Sequence, residues 1–248
     1  MTPLEHLLLS LADDDFILGY RDSEWTGVAP VIEEDIAFSS IAQDEIGHAR
    51  ALYEMLERLT GTGADHIALG RQPHEYRNCR LVEHPRDDWA FTVARQFLYD
   101  LADSIRLRAL AESSNRELAD LVAKIAREEK YHLSHGRTWL ARLANGGEAA
   151  RARLVTGLER AWPLALGVFE SLPGEDELLA DGTLPRSTAQ MANAFRQAAT
   201  EACEPHGIRL DQSATPAYGG RAGQHSTAFN TLWSEMTMVY RQDPAAAW

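Results

Sequence analysis

Lysine is scarce in this 248-residue chain. Lys124 and Lys130 stand beside 22 arginines, and 37 acids outnumber the 24 basic residues, for a formal net charge of −13. That acid excess argues against a general nucleic-acid binder, because neutralising phosphates takes a basic surface. Cysteine is scarce too. Cys79 and Cys203 make no CxxC, so a zinc knuckle or a thiol redox motif is unsupported. Two thiols in a chain this long fit a reducing compartment better than a disulfide framework. No apolar run reaches the roughly 18–20 residues that cross a bilayer. The opening MTPLEHLLLSLADDD lacks the basic start of a signal peptide. A cytoplasmic protein with no membrane and no nucleic-acid partner is expected. Alternating β-branched runs and the hairpin turns that join them are lacking as well. So are the P-loop, GxGxxG and Gly-x-Ser-x-Gly motifs.

Helical periodicity is what the chain does have. The spacing predicts helices over about Pro3–Arg21, Pro30–Leu59, Asp87–Glu112 and Arg116–Asn145. The turn Ser113-Ser114-Asn115 can cap the fourth. The long stretch from Ala64 to Pro85 separates the two pairs. Helix, short turn, helix, long crossover, helix, short turn, helix is the connectivity of a ferritin-like bundle. Three further helices are expected near Ala149–Ser171, Ser187–Glu204 and Ser226–Tyr240, the first kinked or interrupted by Pro163. A Gly/Pro/Ser-rich loop, Asp211–Gln224, separates the last two. The expected architecture is all-α: one ferritin-like domain over 1–248, with a four-helix bundle over about 3–145 and a helical extension over 149–248.

Acids interrupt the apolar stripes of these helices. The second reads Val31, Glu34, Phe38, Ile41, Glu45, His48, Leu52, Met55, Leu59. The fourth reads Leu118, Val122, Ile125, Glu129, His132, Gly136, Trp139. Carboxylates are rarely buried unless paired or bound to metal. Glu45-x-x-His48 and Glu129-x-x-His132 lie 84 residues apart, each on the second helix of its pair. Residues three apart share a helix face and can ligate one ion. Asp15 and Asp100 stand 30 and 29 residues before the two glutamates. They complete a six-residue candidate set: Asp15, Glu45, His48, Asp100, Glu129 and His132. Asp14 competes with Asp15 for the inward phase, and Gln96 and Asp103 compete with Asp100. Such a donor set suits iron or manganese, as a di-iron or Mn carboxylate centre, better than zinc. The alternative without metal is a buried ion-pair network of Glu45 and Glu129 with His132 and Arg95 or Arg127. His66, His74 and His84 read as surface loop, His135 as packed helix surface, and Trp139, Trp162 and Trp233 as core or interface. Phe97, Leu98, Leu101 and Ile105 give the third helix a second apolar side. Either a partner chain or the C-terminal helices would cover it.

At these residues the sequence resembles the C-type subunits of the multicomponent phenylacetyl-CoA 1,2-epoxidases (phenylacetate-CoA oxygenases). The likeness runs through Gly19–Gly27 with Glu24-Trp25, Asp35–Arg50, Leu81-Val82-Glu83-His84-Pro85 and Val93–Phe97. It continues through Tyr131-His132-Leu133, Trp139–Leu143, Asn145-Gly146, Gly219-Gly220-Arg221 with His225, and Trp248. The resemblance implies a ferritin-like partner subunit of aerobic phenylacetate degradation. It pairs with a homologous catalytic chain, the A-type subunit, which carries the di-iron site. A reductase subunit supplies electrons, oxygen is the oxidant and phenylacetyl-CoA is the substrate of the complex. In that family the C-type chain usually has a degraded metal site and a non-catalytic role. This chain departs from the pattern by keeping both Glu-x-x-His motifs. It also has Asp at positions 15 and 100, where the longer Glu is common. The second reading is therefore a di-iron or manganese oxidase or oxygenase in its own right.

Overall fold

The computed structural model describes residues 1–246. Trp248 lies outside the described residues. The helices in chain order are α1 (Pro3–Ser23), α2 (Ile32–Thr60), α3 (Ala64–Leu69), α4 (Trp89–Leu110), α5 (Arg116–Ala144), α6 (Glu148–Leu166), α7 (Glu175–Ala180), α8 (Thr188–Cys203) and α9 (Thr227–Met236). No strand occurs among the described residues, so the chain is all-α with the helix order of a ferritin-like protein. No described helix is long and apolar enough to cross a membrane.

Local chemistry sets the helix ends. Thr2 and Glu5 form a reciprocal capping box on α1. The Asp88 carboxylate accepts from Phe91 N–H at 2.8 Å to start α4. Of the expected turn Ser113-Ser114-Asn115, Asn115 is the cap of α5, accepting from Leu118 N–H. Gly61 ends α2 in the left-handed region at φ 74°. Pro163 does not end α6, which runs on to Leu166 before a 3-10 turn at Gly167–Phe169. The six-residue helices α3 and α7 fall where the sequence reads as connection. They are too short to show a hydrophobic period.

Two compact units emerge. The first combines Met1–Arg86 with the segment from Gly219 onward. Its frame is the hairpin of α1 and α2. The helices approach closely at Gly19, where a Cβ would sit 2.9 Å from the Ala42 carbonyl and 3.0 Å from Glu45 Cβ. The long connection is tied to α1 by buried charge. Asp13 accepts from Tyr53 Oη at 2.6 Å and Arg77 N–H at 2.6 Å, and pairs with Arg71. Burial weakens the Arg71 cation. The Asp13 charge, Tyr53 and the Asp13 hydrogen bonds outweigh that, so its pKa is raised. Burial, then Asp13, push the Tyr53 phenol well above its ordinary value. Asp14 accepts two bonds from Arg221, at 2.8 and 2.7 Å, and one from Cys79 N–H at 2.6 Å. His225 faces Glu83 at 2.7 Å. These contacts strap the C-terminal segment to the connection. Glycine is required in the strap: at Gly220 a Cβ would run into the Asn78 carbonyl, and at Gly223, with φ +76°, into the His74 carbonyl.

The second unit spans Asp87–Tyr218. Here α4 packs against α5, α6 and α8. A Cβ at Gly136 of α5 would sit 3.1 Å from Phe97 Cα, and one at Gly157 of α6 would sit 3.1 Å from both the Ala90 carbonyl oxygen and Phe91 Cα. Phe97, Leu98 and Leu101 are buried within this unit. α4 also packs against the C-terminal helices α6 and α8, one of the two covers expected for its second apolar side. Trp162 lies at the centre, with its indole N–H on the Asp211 carbonyl at 2.8 Å. Both cysteines are free and buried, and burial pushes the Cys203 thiol up to about 11.

Candidate metal centre

In the first unit, Asp15 of α1 and Glu45 and His48 of α2 are all buried. Their ligand atoms lie within 4.8 Å of one another. Glu45 and His48 share the inward face because they are three residues apart. Asp15 reaches them because α1 crosses α2 tightly at Gly19, one turn further along. That close approach compensates for the short aspartate arm. Asp14 is the alternative at this position, and its carboxylate is turned to Arg221 and the Cys79 N–H instead. Asp13, also buried, belongs to Arg71 and Tyr53. Three successive acids thus face three different partners.

In the second unit, Glu129 and His132 of α5 are buried, with Glu129 Oε1 3.1 Å from His132 Nδ1. On α4 the Asp100 carboxylate accepts from the Gln96 amide at 2.7 Å. Asp103 holds Arg106 through two bonds, at 3.0 and 2.6 Å, and Arg106 also donates to Tyr99 Oη. Asp100 joins no three-ligand group among the described residues. Arg95, on the same helix, is fully buried, whereas Arg127 is exposed. Of the two arginines in the metal-free alternative, only Arg95 has the burial that role requires.

The donor chemistry of Asp15, Glu45 and His48 fits a divalent ion. Two carboxylates supply hard, charge-neutralising oxygen, one imidazole supplies nitrogen, and three protein ligands leave coordination positions open. Histidines outside the motifs have other environments. His66 and His74 are exposed, His84 is half-buried, and His66 faces Tyr240 Oη at 3.0 Å. Sequence reasoning missed the two buried pairs Asp13–Arg71 and Asp14–Arg221. The run Gly219-Gly220-Arg221 is a local signal for the second of these, since a glycine pair beside an arginine marks a close backbone approach.

The family described as phenylacetic acid catabolic protein matches residues 1–248. The C subunit of the Escherichia coli (strain K12) 1,2-phenylacetyl-CoA epoxidase is 31% identical over 254 aligned positions, covering 100% of both chains. The A subunit of the E. coli epoxidase is 28% identical over 148 positions, 60% of this chain and 48% of that one. With an end-to-end family match and an end-to-end relative, this chain belongs to the phenylacetic acid catabolic protein family.

Proposed function

We propose that this chain is the C-type partner subunit of a phenylacetyl-CoA ring 1,2-epoxidase in cytoplasmic phenylacetate degradation. In this reading a homologous A-type chain carries the di-iron chemistry and a reductase subunit delivers electrons. The carrying observation is the difference in coverage: the C-type relative aligns over the whole of both chains, the A-type relative over 48% of its own length. The buried Asp100–Gln96 bond and the fully buried Arg95 support a reduced role for the second half of the six-residue donor set. A single-domain organisation over 1–248 belongs to the same proposal. Co-expression with the A-type chain of the same organism is expected to give a stoichiometric complex on size exclusion. Separate elution of the two chains at micromolar concentration would contradict the reading.

A second reading rests on one observation, the convergence of Asp15, Glu45 and His48. These three would hold an iron or manganese ion, with Asp100, Glu129 and His132 as the corresponding candidates on α4 and α5. A bound ion of this kind supplies Lewis-acid charge stabilisation and open positions for oxygen. The chain's own contribution is to fix the donors. The Gly19 crossing sets the Asp15 reach, and the spacing of Glu45 and His48 sets their common face. Metal binding and catalysis are separable, so a non-catalytic partner can retain the first without the second.

A further inference from the structure

The two hairpins repeat with a spacing of 84 residues, and their second helices differ on the outward side. On α2, Ile32 is 69% and Ile36 65% exposed, while Ile46, further along, lies at the α1 crossing beside Gly19. Val28 and Val31, just before the helix, are exposed beside Ile32 and Ile36. The positions 84 residues after Val28, Val31, Ile32 and Ile36 are Glu112, Asn115, Arg116 and Asp120. On α5 the charged residues Arg116 and Asp120 are exposed, as a solvated face should be. One copy of the repeat therefore keeps polar and charged residues where the other has two isoleucines and two valines. Exposed apolar residues are ordinary when scattered. A contiguous set on one face marks an interaction site.

The rim of this face is acidic. From Asp22 to Ala49 there is no Lys or Arg, and Glu33 and Asp35 flank the apolar residues on α2, while Glu24 is paired with Arg21. A second copy placed α2 against α2 would set acid against acid. A copy offering its α5 face would have to bury Arg116, Asp120, Lys124 and Lys130 beneath isoleucine, at a desolvation cost that apolar contact does not recover. A complementary surface has an apolar centre and a Lys/Arg rim.

We propose that the outward face at the start of α2, centred on Ile32 and Ile36 with Val28 and Val31, is the docking surface for the A-type chain, which meets it with an apolar helix face bordered by basic residues. This rests on the partner-subunit reading.

The test compares wild type, Ile32→Asp/Ile36→Asp, and Lys124→Asp on the α5 face as control. Binding to the purified A-type chain is measured by titration calorimetry, with circular dichroism and size exclusion on each variant alone. The double variant should keep its helicity and lose at least tenfold in affinity, while the control stays within twofold. Wild-type binding should weaken as salt rises, because the rim charges are screened. Unchanged affinity in the double variant overturns the surface and leaves the partner reading standing. Absence of wild-type binding removes both. A wild-type homodimer that the double variant dissolves assigns the face to a second copy and overturns the proposal.

Discussion

Replacing Arg221 by alanine is expected to destabilise the protein by roughly 3–5 kcal/mol, the cost of leaving one member of a buried ion pair without its countercharge. Arg221 is 3% exposed and Asp14 is fully buried. The guanidinium makes a forked contact to both Asp14 oxygens and also donates to the carbonyls of Ser10 and Arg77, each at 2.7 Å. One side chain thus joins α1, the long connection and the C-terminal strap. Lysine would restore charge but not the fork, so Arg221→Lys should recover only part of the loss. The strap should open first, because its backbone is held by this pair, by His225–Glu83 and by glycines that tolerate no Cβ. Urea unfolding gives the free energy, and limited proteolysis near Gly219 gives the order of events. A loss under about 1 kcal/mol, the range of exposed ion pairs, would show that the pair does not hold the strap.

Glu45→Gln and His48→Ala are expected to abolish metal binding by protein produced in iron- or manganese-replete medium. Each removes one of three converging donors in the first unit. A neutral amide at position 45 takes away charge as well as a strong oxygen ligand. Glu33→Gln, exposed on the same helix, should leave metal content unchanged. Elemental mass spectrometry reads the metal per chain directly. Wild-type protein that carries only background iron and manganese would assign these buried acids to a metal-free core network.

Much of the fold is legible in the sequence because its long helices carry a clear period. The boundaries of α2, α4 and α5 fall within about two residues of the expectation, where Gly61, Asp88 and Asn115 mark the ends. Burial of Glu45, His48, Glu129 and His132 follows from their place in the stripes. The phase of α1 is not legible. Asp13, Asp14 and Asp15 are consecutive, all buried, and spread around most of a helical turn. What separates them is the identity of partners far along the chain: Arg71, Arg221, and the pair Glu45 and His48. No periodicity encodes those distances. The cover on α4 is hidden for a similar reason, since an apolar side records that something packs there and not what does. The α2 face shows the converse. Its isoleucines fit a helical stripe equally well inward or outward, and only their exposure distinguishes an interaction surface from core.

Turnover of phenylacetyl-CoA tests the central reading most directly. The reductase is combined with this chain alone, with the A-type chain alone, and with both, and the ring epoxide is quantified by mass spectrometry. A partner subunit gives no product by itself and raises product formation when added to the A-type chain. Epoxide formed by this chain and the reductase without the A-type chain would contradict the account.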